Sequence, residues 1–335
     1  MLNALKQLPH QATVLAERVA ARAWLRRRRE PPGLITFMFH RLTEDPALFD
    51  ENLFLPQQRT TVAQFREFIG YMVEAGYRFI RPAELEKCRT EAGHYALITF
   101  DDGYHDNQLA LAVLAEFQAP AVFFISTRHV LEEKLIWSDV VWRERKKRGV
   151  ADDRILAEIA ELVGWRTDQL EARLRGEFGA DALKPRSDVD RVLTARELTQ
   201  FSRHPQVVIG NHTANHAVLS NYRLEEATTE VQMAQDHLLE LTGRRPEAIA
   251  YPCGRCPAHA TEAALRAGLQ YGFTTESCRL DHPRLASADP LRLPRCALWG
   301  QDSLRDQCAA IRLDLHWYER LKSLLQPTRR TGVSS

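Results

Sequence analysis

The sequence predicts an α/β fold in which a parallel sheet is wound into a β/α barrel. Short apolar segments alternate with helical segments, which is the pattern of parallel strands joined by crossover helices. The residues with candidate chemistry each follow an apolar segment, and a β/α barrel places its active site at the C-terminal ends of its strands. An open doubly wound sheet binds ligands there too and is the alternative. The length of 335 residues is enough for one large barrel.

The first half of the pattern begins after Gly33 with an apolar strand that ends in His40. Thr61 and Gln64 resemble a capping box, which predicts a helix that ends near Gly76. Further strands are predicted over residues 77–80, 97–100 and 121–125, and further helices over residues 83–88 and 107–117.

A helical insertion over about residues 126–193 interrupts the alternation. Charged helical segments dominate it, and Trp137, Trp142 and Trp165 either line a sugar-binding cleft or belong to the core. The alternation then resumes, with strands predicted over residues 207–209, 248–252, 271–275 and 291–294, and helices predicted after Thr194 and over residues 224–241, 257–267 and 303–325.

The two ends of the chain differ from this pattern. Residues 1–32 are predicted to form a basic amphipathic helix, residues 33–325 the domain that contains the alternating strands and helices, and residues 326–335 a frayed tail. A net charge of +1 argues against binding of nucleic acid through overall charge. No segment has the apolar length of a secretory signal or a membrane span, and the six cysteines suit reduced thiols. We therefore expect a cytoplasmic protein, whose N-terminal basic helix is either a solvated face or a peripheral contact with the inner membrane surface.

The chain is organised around Asp101 and Asp102, which end an apolar strand just before Gly103. A buried unpaired carboxylate is costly, so two adjacent acids at a strand end need a partner. One interpretation is a metal ion, with one acid as ligand and the other as base. The alternative is a simple turn, because Asp-Asp-Gly is a common turn sequence.

His212 and His216 come after a later predicted strand. Their i, i+4 spacing puts both imidazoles on one side of a helical turn, and neutral imidazole is the commonest nitrogen ligand of zinc. With Asp102 they make a ligand set that leaves positions open for water and a substrate oxygen. Such a metal lowers the pKa of bound water and polarises a carbonyl. Asp101 is then the candidate base, and His40 is a candidate proton donor for a leaving amine.

These two motifs resemble those of the polysaccharide deacetylase family, also called carbohydrate esterase family 4. Residues 99–104, Thr-Phe-Asp-Asp-Gly-Tyr, resemble its first motif, whose first Asp is the base and whose second is a metal ligand. Residues 212–216, His-Thr-Ala-Asn-His, resemble its second motif, which provides both histidine ligands. The resemblance covers about residues 34–300, apart from the insertion. It implies a distorted β/α barrel, a divalent metal (usually Zn²⁺, with Co²⁺ or Ni²⁺ as alternatives) and hydrolysis of an N-acetyl group on an amino sugar, with release of acetate.

A narrower resemblance concerns the beginning of the domain. Residues 38–41, Met-Phe-His-Arg, are similar to a Met-Tyr-His-Arg segment of the poly-N-acetylglucosamine deacetylase branch, and the block over residues 64–80 is similar too. In that branch the motif order is permuted and the early histidine is the proposed general acid, which implies that role for His40. Tyr104, the last residue of the first motif, is expected to lie at the substrate.

Two departures from the family pattern concern the third motif. Residues 250–255 resemble it, with Cys253 at the usual Tyr position. In the family the backbone N–H at this position helps to bind the oxyanion, and a backbone donor survives a change of side chain. The broader family has an Arg where Ala250 stands, and we expect Arg295 to replace it by orienting Asp101.

The sequence therefore predicts a metal-dependent de-N-acetylase that acts on an N-acetylated carbohydrate, either a polysaccharide or a glycolipid precursor. The same metal chemistry would serve a C–N hydrolase of a small non-sugar amide, because a fold does not fix the substrate. A third interpretation is a non-catalytic carbohydrate-binding protein. The retained acids and histidines argue against it, because a binder needs no base beside a metal.

Overall fold

The structure is a computed structural model that describes residues 30–314, together with Ala21 and Leu25. Strands β1 to β9 are, in chain order, Gly33–Phe39, Arg78–Phe79, His94–Phe100, Ala121–Ile125, Val207–Asn211, Ala248–Ala250, Tyr271–Phe273, Leu280–Asp281 and Cys296–Ala297. Over residues 30–314, helices α1 to α12 are Val62–Glu74, Leu85–Thr90, Ala110–Glu116, Thr127–Glu132, Trp137–Lys147, Asp152–Leu162, Thr167–Phe178, Ala195–Phe201, Leu224–Thr242, Ala258–Arg266, His282–Ser287 and Leu304–Arg312. Outside the insertion, strands and helices alternate as the apolar pattern predicts, except that β8 follows β7 without a helix between them.

The strands form one nine-stranded sheet in the order β7-β6-β5-β4-β3-β1-β8, with β2 on β3 and β9 on β1. Its pairs are parallel except for β1 with β8. The segment that leads into β9 closes part of the gap between the sheet edges, because Leu293 forms a bridge to Phe273 of β7 while β9 pairs with β1. The sheet is therefore curled, and the prediction of a distorted β/α barrel is confirmed.

The end of the barrel differs locally from the prediction. The strand expected over residues 291–294 makes only a bridge at Leu293, and the regular strand β9 begins at Cys296. Strand β8 and helix α11 are not predicted from the sequence. Strand β8 passes so close to β1 that a Cβ on Gly33 would lie 2.2 Å from the carbonyl oxygen of Leu280. A two-residue strand has no periodicity in the sequence, so only this tertiary contact defines it.

The insertion contains the helices α4 to α7. Trp137 and Trp142 are buried in the core, whereas Trp165 is exposed, so the first two are structural. The insertion ends against the turn after β3, where the N–H of Leu193 donates to the carbonyl of Gly103 over 2.9 Å. This segment therefore supports the turn from which the two candidate catalytic acids project.

Parts of the terminal predictions lie outside the described residues. Within the segment predicted as a basic helix, the structure describes Ala21 and Leu25, which are helical, and residues 30–32. The C-terminal helix is described as α12 up to Arg312, and the predicted tail over residues 326–335 lies beyond the described range. Among the described helices, none combines the length and the apolar character needed to cross a bilayer.

Candidate active site

The three predicted metal ligands lie together at the C-terminal mouth of the barrel. Asp102 comes after β3, His212 comes after β5, and His216 lies four residues further along the chain. All three are buried, and their ligand atoms lie within 4.8 Å of one another. Oδ1 of Asp102 lies 3.3 Å from Nε2 of His212 and 3.3 Å from Nε2 of His216. The fold thus brings one carboxylate and two imidazoles, from two different strand ends, to one point.

The hydrogen-bonding pattern of this cluster fits a cation between the donors. Nδ1 of His212 lies 2.8 Å from the carbonyl oxygen of Ala250, which only accepts, so Nδ1 carries the proton. Nε2 then presents a lone pair to Oδ1 of Asp102, a buried oxygen that accepts no hydrogen bond from the described residues. Lone pairs that face each other away from water need a proton or a metal between them. The nitrogen and oxygen donors suit zinc and the neighbouring divalent metals.

Burial and charge shift the titration of these ligands. Burial raises the pKa of Asp102, but the neighbouring imidazoles outweigh burial and hold this pKa well below its ordinary value. Burial lowers the pKa of His216 to about 3, so its ring is neutral and available as a ligand. Burial also lowers the pKa of His212, but Asp102 and Asp101 outweigh it and raise this pKa overall. A proton on His212 occupies the position that a metal would take, so metal binding releases it.

Two of the three ligands, and the residue that follows the third, have a backbone conformation that non-glycine residues rarely adopt. The φ angles of Asp102, Thr213 and His216 are 75°, 62° and 50°. Each left-handed non-glycine residue costs on the order of 1–3 kcal/mol and persists only where its surroundings fix it. Here Oδ1 of Asn211 accepts from the N–H of Thr213 over 2.8 Å, and Oγ1 of Thr213 accepts from the N–H of Ala217 over 2.7 Å. The strain therefore lies at the residues whose direction the site needs.

Asp101 is held by Arg295, as expected from the sequence. Two guanidinium nitrogens donate to the two carboxylate oxygens over 2.6 and 2.8 Å, and both side chains are buried. Nε of Arg295 also donates to the carbonyl of Thr274 over 3.0 Å. Burial raises the pKa of Asp101, but the charge of Arg295 outweighs burial and lowers this pKa below its ordinary value. The carboxylate is therefore ionised and fixed in direction, which is the state that a general base needs.

His40 lies at the same mouth, directly after β1, and is half-buried. Phe39 lies opposite Phe100 in the β1–β3 pair, and the N–H of Asp101 donates to the carbonyl of Phe39 over 3.0 Å, so His40 leaves β1 beside the start of the catalytic turn. Its backbone is fixed by Asn107, whose side-chain amide donates to the carbonyl of His40 over 2.7 Å. Its partly open position suits a group that exchanges a proton with a substrate.

Cys253 lies in a tight turn over Pro252–Gly254 and has φ 55°. The residue is exposed at the mouth, while Cys256 is buried, and both thiols are free. Although part of the residue is exposed, its thiol is surrounded by protein atoms. This burial of the thiol, followed by the charge of Asp102, raises the pKa of Cys253 to about 12. The thiol is therefore protonated near neutral pH, and it is the backbone N–H of this turn that remains the candidate oxyanion donor.

The structure does not place Tyr104 at a substrate, and this part of the prediction is wrong. Its side chain is fully buried. The hydroxyl donates to Oδ2 of Asp139 over 2.6 Å and accepts from Nε2 of Gln58 over 3.0 Å. Asp139 belongs to the insertion, a partner that the local motif cannot reveal. Tyr104 therefore anchors the turn after Asp102 to α5.

Sequence reasoning missed several residues that hold the site in place. Glu230 of α9 accepts from the N–H and the side-chain amide of Asn215 over 3.0 and 2.8 Å, and so fixes the loop between the two histidines. Asn107 fixes His40, and the carbonyl of Ala250 sets the tautomer of His212. No sequence motif marks Glu230, because it is one of several acids on an amphipathic helix. Asn107 comes soon after the catalytic turn, and this proximity is the one signal that could have identified it.

Comparison with known proteins adds two findings. A family model described as polysaccharide deacetylase matches residues 89–272, which is more than half of the chain. A sequence search among curated proteins finds no match. The matched range contains the two motifs that carry Asp101, Asp102, His212 and His216.

Several solved structures are similar in fold. The deacetylase PplD of Streptococcus pyogenes, in complex with acetate, shares 19% identity over 84% of this chain and 99% of its own, with a TM-score of 0.58. IcaB from Ammonifex degensii shares 16% identity over 85% of this chain and 98% of its own, with a TM-score of 0.56. The polysaccharide deacetylase BC0361 from Bacillus cereus shares 15% identity over 84% of this chain and 69% of its own, with a TM-score of 0.56. At these identities the similarity shows a shared barrel.

Proposed function

Because the chain belongs to the polysaccharide deacetylase family, we propose that it is a metal-dependent de-N-acetylase of amino sugars in a polysaccharide or a glycolipid precursor. One observation carries this proposal. Oδ1 of Asp102 accepts no hydrogen bond from the described residues and faces two imidazoles, while the carboxylate of the preceding residue, Asp101, is held by Arg295. A metal ligand beside a fixed base is an arrangement that supports metal-assisted hydrolysis of an amide.

The metal would be held by Asp102, His212 and His216, with Zn²⁺ as the first choice and Co²⁺ or Ni²⁺ as alternatives. When bound, such an ion polarises the acetamide carbonyl and lowers the pKa of water. Its three protein ligands are the number found in catalytic zinc sites, which keep a position open. Because the ligand atoms are buried, bulk water does not surround them, and electrostatic interactions in the site are stronger than in water.

The remaining steps belong to side chains and backbone at the mouth. Asp101 accepts a proton from the water that attacks the acetyl carbon. The N–H of Cys253 donates to the oxyanion that forms on the carbonyl oxygen. His40 donates a proton to the nitrogen as the C–N bond breaks, so the products are acetate and a free amine.

We further propose that the substrate is met in the cytoplasm, as a soluble or lipid-linked precursor. None of the six cysteines, all of which lie among the described residues, forms a disulfide, and this suits a reducing compartment. Membrane contact through the N-terminal basic helix stays a prediction, because Arg26 to Arg29 lie outside the described residues.

The test is acetate release by the purified protein from a panel of N-acetylated oligosaccharides and sugar-lipid precursors, with added zinc or cobalt. Asp101→Asn is expected to lower release by about 10² to 10⁴-fold while the protein keeps its metal, because the base is lost and the ligands remain. Asp153→Asn, an exposed acid on α6, is the matched control and is expected to behave as wild type.

Chelation of the metal is expected to abolish release, and metal addition to restore it. Release that survives in Asp101→Asn would remove the assigned base. No release from any glycan by metal-loaded wild type would favour a small non-sugar amide as substrate, or a binding protein without catalysis.

A further inference from the structure

Trp299 lies just beyond β9, at the C-terminal mouth of the barrel. Strand β9 pairs in parallel with β1, with Ala297 opposite Met38. The N–H of Leu298 still donates to the carbonyl of Met38 over 3.5 Å. The register therefore continues past the strand and brings Trp299 level with His40.

Side chains alternate between the two faces of the extended chain after β9, and this alternation puts the indole of Trp299 on the same face as Arg295. Cys296 and Leu298 are buried in the main hydrophobic core, on the side of the strand that faces the helices. The odd-numbered residues of this segment face the opposite side, because successive side chains alternate along an extended chain. Arg295 is one of them, and its guanidinium donates to Asp101 over 2.6 Å. Trp299 lies four residues further along the chain and faces the same side, so it projects toward the mouth.

The backbone of this position is anchored although the indole is exposed. The N–H of Trp299 donates to Oε1 of Gln307 over 2.9 Å, and Nε2 of Gln307 donates back to its carbonyl over 2.8 Å. The next carbonyl, of Gly300, accepts from Nε2 of Gln64 over 2.6 Å. A Cβ on Gly300 would lie 1.8 Å from the carbonyl oxygen of Arg59, so the chain is pressed against its neighbour. The Trp299 residue is nevertheless 45% exposed.

We propose that Trp299 is a sugar-binding platform, whose indole stacks on the apolar C–H face of a pyranose ring of the substrate. This inference rests on the proposed function. A pyranose ring has apolar C–H faces and a polar rim, and a large rigid aromatic covers such a face at little cost in side-chain entropy. The anchored backbone fixes the platform beside His40 before the substrate arrives, which reduces the ordering cost of binding.

The test measures binding separately from catalysis, in the inactive Asp101→Asn background. Zinc-loaded protein is titrated by calorimetry with tetramers of N-acetylglucosamine and of N-acetylgalactosamine. Adding Trp299→Ala is expected to raise the Kd of the bound tetramer about 10-fold, because the variant loses the apolar contact between the indole and the sugar face. Trp299→Phe is expected to recover most of the affinity.

Leu265→Ala is the control, because this apolar residue is 61% exposed and lies near the end of α10, the helix that follows β6 and runs back from the mouth. We expect it to leave the Kd unchanged. Equal affinity of the Trp299→Ala and parent proteins would overturn the stacking role, even if wild type releases acetate. Absence of tetramer binding in every variant would overturn it too. Tetramer binding that depends on Trp299 without acetate release would support the platform and count against the de-N-acetylase.

Discussion

The two acids that follow β3 are neighbours in the chain, but the groups that surround them in the folded protein differ. Asp101 receives two hydrogen bonds from Arg295, so its charge is balanced by another part of the same chain. Asp102 faces only two imidazole nitrogens, 3.3 Å away, and its Oδ1 accepts no hydrogen bond from the described residues. The base side of the site, Asp101 with Arg295, is therefore balanced within the protein. The ligand side, Asp102 with the two imidazoles, would be completed by a proton or by the proposed cation.

This difference separates what stabilises the fold from what stabilises the metal complex. The base side contributes to folding without any ligand, and its removal is expected to cost stability in metal-free protein. The proposed metal site would link stability to metal concentration, because a ligand that binds only the folded state stabilises it by mass action. Variants of the two sides are therefore expected to respond differently to added metal.

The largest response to added metal is expected on the ligand side, from His216→Ala. Wild-type protein is expected to gain about 2.7 kcal/mol of stability at a zinc concentration 100 times its Kd, and the variant none, because one of its three ligands is missing. The measurement is the melting temperature with and without zinc, together with the metal content. His259→Ala is the control, since His259 is bonded to the carbonyl of Leu219 outside the site. A zinc-dependent rise in the variant equal to wild type would remove His216 from the ligand set.

On the base side, Arg295→Met is expected to lower the free energy of unfolding of metal-free protein by about 3–5 kcal/mol, because it leaves the charge of Asp101 buried and unpaired. Urea unfolding measures this loss. The double variant Asp101→Asn with Arg295→Met is expected to regain part of it. Arg66→Met, which breaks an exposed pair with Glu116, is expected to cost less than about 1 kcal/mol. Equal losses in Arg295→Met and Arg66→Met would mean that the buried pair has no special role.

A third prediction concerns Asp139, which supports the turn after Asp102 through Tyr104. Burial raises the pKa of Asp139 to about 6, above its ordinary value, so the folded state binds the proton more tightly than the unfolded chain. This contribution to stability is present below about pH 4 and is lost as the pH rises to about 6, by roughly 3 kcal/mol. Asp139→Asn is expected to flatten this part of the pH profile, because the amide stays neutral. An unchanged slope between these pH values would show that Asp139 does not titrate there.

The smallest effect is expected at Cys253, beside both acids. Cys253→Ser is expected to keep acetate release within about threefold of wild type, since the backbone N–H and not the thiol binds the oxyanion. The assay is the one used for Asp101→Asn, run in parallel. A loss as large as that of Asp101→Asn would show that the thiol takes part in the chemistry.

The sequence was a good guide where one local pattern carries the information. Thr61 with Gln64 and Thr194 with Glu197 form the capping boxes that their spacing predicts. The predicted strand over residues 207–209 is part of β5. Each of these features depends on residues within a few positions of one another, so the chain itself contains the whole signal.

The sequence was a poor guide where a partner lies far along the chain. Tyr104 reads as the end of a catalytic motif, yet its hydroxyl is bonded to Asp139, which lies 35 positions later. The strand expected over residues 291–294 is reduced to a bridge, because this segment must reach from Phe273 of β7 to β1 to close the barrel. Pairing across such distances is set by the register of the sheet, and local propensity does not contain it.

The sequence by itself determined which side chains stand at the strand ends, since apolar runs that stop at Asp101 and Asp102 and before His212 define both the strands and the polar residues after them. Only the tertiary structure decided how these acids are balanced. The curled sheet brings Arg295 to Asp101 across 194 positions and brings the imidazoles to Asp102. The physical reason is that a buried charge requires a partner, and a partner so distant in the chain is supplied by closure of the barrel.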